Sequence, residues 1–427
     1  MDYKNLQRQD SEVYQLVQAE IGRQQEGLVM IPSENFASMA VLEALATPLN
    51  NKYAEGYPGK RYYTGNQFID QIEQLAIDRA KQLFKAEHAN VQPHSGSSAN
   101  QECFAAVLKP GDKILAMNLA HGGHLTHGSS VNFSGQTYQF IPYGVRQDNE
   151  LIDMDEVAEI ARREQPKLIL SGATAYPRKI EFSQFAKIAA EVGAYAMADI
   201  SHIVGLCLAG EHENPVPNHD LVMTTTTKTL RGPRSAIILA KIEDRLKTKY
   251  HPDEKKNLAQ LIDSAVFPGY QGGPLEHVIA AKAVCFAEAM TTEFVTYQQQ
   301  IIKNAKALAK DFLAAGLKLV SGGTDTHLLL IDCRPLNLDG KTAANLLAEA
   351  GIYTNANMIP FDTGTPFKPS GIRLGTPALT SRGMKEEEMK IIADWLVEIL
   401  KQETAPEKIK NKVLELTRKF PLYEELV

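Results

Sequence analysis

Between residues 113 and 226 the chain alternates short apolar runs with amphipathic helical stretches, and this alternation restricts its fold more than any other feature. The apolar runs are Lys113 to Met117, Thr137 to Ile141, Leu168 to Leu170, Tyr195 to Asp199 and Leu221 to Thr226. Helical stretches such as Met154 to Arg163 and Phe182 to Val192 lie between them. Runs of this length suit buried strands, and each helix can carry the chain back over a sheet. The pattern predicts a mainly parallel, doubly wound α/β sheet. Ligands in such sheets gather at the carboxyl ends of the strands.

A chain of 427 residues is long enough for two domains, with an arm at one end. Charged residues make up 22% and the formal net charge is -6, so no overall positive field draws it to nucleic acid or an anionic membrane. The four cysteines, Cys103, Cys207, Cys285 and Cys333, are widely spaced and form no CxxC pair. Neither a zinc site nor a disulfide framework is indicated, and reduced thiols in the cytoplasm are expected. The amino terminus lacks the apolar core of a signal peptide, and no stretch approaches the roughly 18 apolar residues of a membrane span.

Residues Ser11 to Gln25 read as a polar amphipathic helix with Val13, Leu16 and Ile21 on one face, suited to an arm lying on another surface. The apolar run Leu28 to Ile31 breaks at Pro32 and leaves Ser33, Glu34 and Asn35 on a loop. NKYAEGYPGKRYYTG, with four tyrosines, one glutamate and three glycines, reads as a binding loop. Phe68 to Phe84 follows as a core helix, with Ile69, Ile72, Ala76, Ala80 and Leu83 on one face. A long helix from Phe294 to Ala315, capped by Gly316, leads through Leu328 to Asp332 and GIRLGTP into final helices, a smaller α+β domain. The expected division is an arm over 1–50, a large domain over 51–290 and a small domain over 291–427.

Lys228 ends the threonine-rich run LVMTTTTK, just before a Gly-Pro turn at Gly232 and Pro233 and a second apolar strand from Ser235 to Ala240. At the mouth of such a hairpin, partial desolvation favours the neutral amine, a nucleophile able to form a Schiff base. A lysine that merely solvates a strand end is the plainer alternative. HSGSSANQECFAAVL sets Ser95, Gly96 and Ser97 at the start of a helix, as a phosphate cup or as an ordinary serine cap. Asp199 closes a strand 29 residues before Lys228, room for one crossover between parallel strands. It could hold a pyridine nitrogen protonated or cap a helix. HGGHLTHG offers His121, His124 and His127, for a metal or for an imidazole stacked on a ring. Arg234 and Arg373, each close to a glycine, suit clamping a carboxylate or phosphate. A lysine, a carboxylate, an imidazole and a phosphate cup together match pyridoxal phosphate.

The motifs SENFAS, NKYAEGYPGKRYY, QPHSGSSAN, AHGGHLTHG, TTTKTLRGPR, FPGYQGGP and SGIRLGTPA occur in the order found in the serine hydroxymethyltransferase family, which the chain resembles over nearly its whole length. The resemblance implies the fold type I of pyridoxal-phosphate transferases: a mainly parallel, seven-stranded-type doubly wound sheet, a smaller α+β C-terminal domain and an N-terminal arm. It implies pyridoxal 5'-phosphate held covalently on Lys228, with Asp199 at the pyridine nitrogen, His124 stacked on the ring and His202 near its hydroxyl. Ser95, Gly96 and Ser97 correspond to the phosphate cup, completed from a neighbouring subunit by Tyr53, Gly272 and Gly273. Arg373 corresponds to the residue that binds the substrate carboxylate, helped by Ser33. Glu55 and Tyr63 match residues at the reacting hydroxymethyl group. Leu119, Gly123, Leu125 and Asn357 match positions lining the folate site. The implied reaction transfers the serine hydroxymethyl group to tetrahydrofolate, leaving glycine and 5,10-methylenetetrahydrofolate, in a cytoplasmic homodimer or tetramer with shared sites. A folate-independent aldolase acting on threonine or allo-threonine is the alternative. Thr227 stands where the family has a histidine, and Ala356 where it has a lysine.

Overall fold

The computed structural model describes residues 3–426. It contains two compact units, Ala40–Gln299 and Met1–Met39 with Gln300–Val427. The first is built on a seven-stranded sheet: β1 His88–Asn90, β2 Lys113–Met117, β3 Gln139–Tyr143, β4 Leu168–Ser171, β5 Tyr195–Asp199, β6 Leu221–Thr225 and β7 Ala236–Ala240. Their order across the sheet is β1-β7-β6-β5-β4-β2-β3. Parallel pairing links β3, β2, β4, β5 and β6, while β7 runs antiparallel to both β6 and β1. Strand β3 begins two residues later than its apolar run suggests, because the short helix Phe133–Thr137 takes up the first of those residues. Pro142 lies within β3, which is tolerated on an edge strand where one side needs no ladder donor.

Every residue of β4, β5 and β7 is buried, as expected for strands covered on both faces. Helices α1 Gln67–Phe84, α2 Gly96–Val107, α3 Met154–Glu164, α4 Phe182–Val192 and α5 Glu276–Ala289 supply the cover. Ala99, Cys103, Phe104 and Val107 of α2 share one apolar cluster with Ile114, Leu168, Met197, Met223 and Ile238 from five strands. Burying each large apolar side chain contributes about 1.5–3 kcal/mol, so this cluster rigidly fixes the start of α2 against the strand ends.

In the other unit Leu28–Val29 pairs in parallel with Ile352–Tyr353. Four further strands, β8 Lys318–Leu319, β9 Leu328–Asp332, β10 Asn355–Asn357 and β11 Gly371–Gly375, form an antiparallel sheet in the order β8-β9-β11-β10. The Arg382 guanidinium donates to the carbonyls of Gln25, Gly27, Thr417 and Phe420, which ties the amino-terminal segment to the last helices. Helix Ser11–Glu26 buries none of its residues, leaving Leu16 65% exposed. The long helix runs Thr292–Ala314, and Gly316 follows at φ +78°, the left-handed conformation that ends a helix cheaply only at glycine.

Candidate active site

Lys228 sits three residues beyond the end of β6, in the turn that returns the chain to β7. The Gly232 amide closes this turn onto Thr226 O at 2.7 Å, and the Thr226 hydroxyl donates to Pro233 O. A side chain at Gly232 would put its Cβ 2.6 Å from Cys285 Sγ, so the turn is tightly specified. Half-buried Lys228 donates from Nζ to Thr225 Oγ1 at 2.8 Å.

Ser95 caps α2, its hydroxyl accepting from the Ser98 amide at 3.3 Å, and Ser95 and Ser97 are both exposed. Capping does not exclude a phosphate cup here, because the helix start still presents the exposed Ser97 and its positive dipole end. Gly96 brings that start against β6: a Cβ there would meet Thr225 Cγ2 at 2.7 Å. The same threonine therefore touches both the cup and the lysine. Behind the cup, the Gln271 side chain accepts from the His94 amide at 2.9 Å and donates to Gln92 O.

Asp199 is buried at the end of β5, next to β6. It accepts hydrogen bonds from Asn100 Nδ2 at 3.0 Å, the Ser201 amide at 3.0 Å and His127 Nε2 at 3.2 Å. Burial alone would push its carboxyl up, but His127 above all, then His124 and the Ser201 amide, hold it well below the usual carboxylate range. It caps no helix, for the next one, Val204–Leu208, has Ile203 at its N-cap. Ser201 also accepts from the Thr225 amide at 3.1 Å, which joins the Asp199 and Lys228 neighbourhoods. His124 Nδ1 lies 2.8 Å from the Thr126 hydroxyl, and buried His202 Nε2 lies 2.9 Å from that of Thr174. His121 is engaged elsewhere, accepting at Nδ1 from the Val145 amide. The tandem histidines are thus separated among three roles.

The tyrosine-rich segment is a hairpin rather than an open loop: Gly56–Tyr57 pairs with Lys60–Arg61 across Pro58 and Gly59, the latter at φ +71°. Proline followed by a positive-φ glycine is the chemistry of a tight turn. Arg61 fixes the hairpin by donating to Ala54 O, Gly56 O, Asp70 and Glu73. Tyr53 and Tyr63 meet edge to face at 5.3 Å. Gly273 lies against the Tyr53 ring, where a Cβ would approach to 3.3 Å, and at Gly272 one would lie 3.5 Å from Glu55 Oε1. Tyr53, Glu55, Tyr63, Gly272 and Gly273 therefore form one cluster. Beside it a cavity of about 470 Å³ is lined by Tyr57, Tyr62, Phe267, Lys60, Lys255 and Lys256 among others.

Gly123 is pinned by its amide to Asn118 O, while Leu119 and Leu125 remain 41% and 50% exposed. Arg234 is exposed. In the second unit Arg373 lies buried on β11, donating to Asn355 Oδ1 at 3.1 Å, and burial lowers its pKa to about 10. The Gly375 amide donates to Met30 O, and a side chain at Gly375 would strike Pro32, so the loop carrying Ser33 packs on the end of the Arg373 strand. Asn357 on β10 pairs with Gly371.

An amine beyond one parallel strand, an ionised carboxylate beyond its neighbour and a hydroxyl-lined helix start describe a site of the pyridoxal-phosphate class of α/β enzymes. A family model described as serine hydroxymethyltransferase matches residues 6–396, and the chain belongs to that family. Its members have fold type I and depend on pyridoxal phosphate, and the present chain is an enzyme of that hydroxymethyltransferase type. Asn100, Thr126, Thr174 and Thr225 escape a reading of the sequence, whereas His127 stands out in HGGHLTHG without its partner Asp199.

Proposed function

We propose that the protein transfers the hydroxymethyl group of serine to tetrahydrofolate, reversibly, leaving glycine and 5,10-methylenetetrahydrofolate. The observation that carries this reading is the link from Lys228 through Thr225 and Ser201 to Asp199, with the α2 cup pressed on the same threonine. These residues fit pyridoxal phosphate by charge: an amine for its aldehyde, a carboxylate for a protonated nitrogen, and a helix start for its phosphate. Bound there, the cofactor supplies an electron-accepting ring on which the amino acid's Cα–Cβ bond can break.

The chain's own groups do the rest. Asp199 keeps the ring nitrogen protonated, and His124 covers the ring face with His202 at its hydroxyl. Ser95, Gly96 and Ser97 bind the phosphate. Arg373, with Ser33, grips the substrate carboxylate, a bidentate task suited to a buried guanidinium. Glu55 manages the proton of the hydroxyl group, with Tyr63 beside it. Leu119, Gly123, Leu125 and Asn357 line the pterin site. Exposed Tyr53, Tyr62, Tyr63, Tyr270 and Leu275 favour a homodimer in which this face is covered and sites are shared. The four buried free cysteines accord with a cytoplasmic location.

The test measures serine turnover by the purified, cofactor-loaded protein with and without tetrahydrofolate. Turnover that requires tetrahydrofolate is expected. Cleavage of threonine or allo-threonine with serine turnover indifferent to tetrahydrofolate would replace this reading with an aldolase. Lys228→Ala is expected to abolish both the visible absorbance of the bound cofactor and turnover.

A further inference from the structure

We infer that Thr126, oriented by Asn100, is a positioning residue that locks His124 as a neutral imidazole with its proton on Nε2. Hydrogen-bond direction supplies the argument. A backbone N–H can only donate, and the Thr126 amide points at His124 Nδ1 from 3.2 Å. That nitrogen therefore carries a lone pair. The Thr126 hydroxyl, 2.8 Å from the same nitrogen, must likewise donate to it.

With its one hydrogen committed, the Thr126 oxygen is left to accept, and Asn100 Nδ2 stands 2.8 Å away to donate. The other hydrogen of this amide goes to Asp199 Oδ2 at 3.0 Å. A carboxylate oxygen can only accept, which fixes the end of Asn100 that faces it. Every proton between Asp199 and His124 is thereby assigned. His127 obeys the same rule: its Nδ1 accepts from the His124 amide at 3.3 Å, so its proton sits on Nε2 and points to Asp199. Asn100 and Thr126 are 1% and 0% exposed, so water does not compete for these bonds.

The functional consequence rests on the reading proposed above. Asp199 keeps full negative charge because neither histidine shares a proton with it, and that charge is then available to a protonated ring nitrogen. An imidazolium over the face of the same ring would repel it, and Thr126 prevents one from forming. One buried asparagine sets both the carboxylate and the imidazole.

The test uses protein labelled with ¹⁵N-histidine, with and without cofactor, read by long-range ¹H–¹⁵N correlation across mildly acidic to neutral pH. His124 is expected to show an unprotonated Nδ1 and a protonated Nε2 throughout in the wild type and in Thr126→Ser. Thr126→Val removes the hydroxyl contact to Nδ1, and His124 should then take up a second proton as the pH falls. Where about nine-tenths of the released ring is charged, kcat of Thr126→Val falls roughly ten-fold while that of Thr126→Ser holds. A proton on Nδ1 in the wild type, or a Thr126→Val spectrum unchanged from it, overturns the inference. Because the spectra of cofactor-free protein report the lock directly, failure to bind pyridoxal phosphate would overturn the proposed function alone.

Discussion

Asp199 and Glu102 are both carboxylates buried in the unit that carries Lys228, yet Asp199 accepts three hydrogen bonds and Glu102 accepts none among the described residues. Their charge states diverge accordingly. Burial pushes Glu102 up to about 8, against the pull of Lys282, whereas its hydrogen bonds and the neighbouring histidines hold Asp199 ionised despite its burial. Glu276 resembles Glu102: burial, then the nearby charge of Glu73, raises it to about 8, and neither oxygen has a hydrogen-bond partner among the described residues. Burial by itself neutralises an acid. What keeps one charged is the set of donors aimed at it, and the molecule supplies such a set where the proposed chemistry needs an anion.

Lys282 stands between the two cases. Burial lowers it to about 7, but Nζ donates to the carbonyls of Val91, Pro93 and Ala236, at 2.5, 3.2 and 2.8 Å. Val91 and Pro93 belong to the backbone that leads from β1 into Ser95. The ammonium therefore organises main chain rather than substrate, and its role is to hold the approach to the cup.

The largest effect that can break this contrast comes from Asp199→Asn set against Glu102→Gln. Losing the anion should lower kcat by about 10²–10³-fold, the usual cost of removing one preorganised electrostatic partner. Glu102→Gln should leave kcat within roughly two-fold, since it replaces a neutral acid with a neutral amide. Steady-state kinetics on both variants decides it, and equal losses would mean that Glu102 also acts as a charge.

Next in size is Lys282→Met. It removes three hydrogen bonds from buried carbonyls, and leaving such groups unpartnered costs on the order of 1–3 kcal/mol each before relaxation. The midpoint of urea unfolding should drop clearly. Affinity for pyridoxal phosphate should weaken more than kcat at saturating cofactor, because the cup is disturbed and the lysine and carboxylate are not. A kcat loss with unchanged cofactor affinity would place Lys282 in the chemistry instead.

The same contrast marks what could be read before folding. Strand β5 and helix α4 lie where the apolar periodicity puts them, because both are buried against their neighbours and local pattern coincides with packing. Lys228, Asp199 and the serine cup stand out by position relative to predicted strand ends. Asn100 does not, and His127 is visible in HGGHLTHG only as a histidine: they lie 99 and 72 residues from the carboxylate they serve, and no local pattern reports a contact at that range. Lys282 lies in the apolar stretch HVIAAKAVCF, where nothing local points to its three carbonyl partners, which come from two distant segments. The hairpin at Tyr57-Pro58-Gly59-Lys60 was legible from its turn residues and was obscured by the density of tyrosines around it.

The smallest effect concerns pH. The native pKa of Glu102, about 8, lies above the unfolded value of about 4.3. Between these values the native state holds a proton that the unfolded chain has released, so stability falls as pH rises through the window, by at most about 1.4 kcal/mol per pH unit for one group. Lys282 has the opposite sign and a different window: from about 7 upward the unfolded chain keeps a proton that the native state lacks, and stability recovers toward the unfolded lysine value. Glu102→Gln removes only the first term. Its stability advantage over the wild type should be small near pH 5, grow toward pH 8 and then level off, as read from urea midpoints across that range. An advantage that does not change with pH would mean that Glu102 finds a partner in solution, and the distinction from Asp199 would then lie in geometry alone.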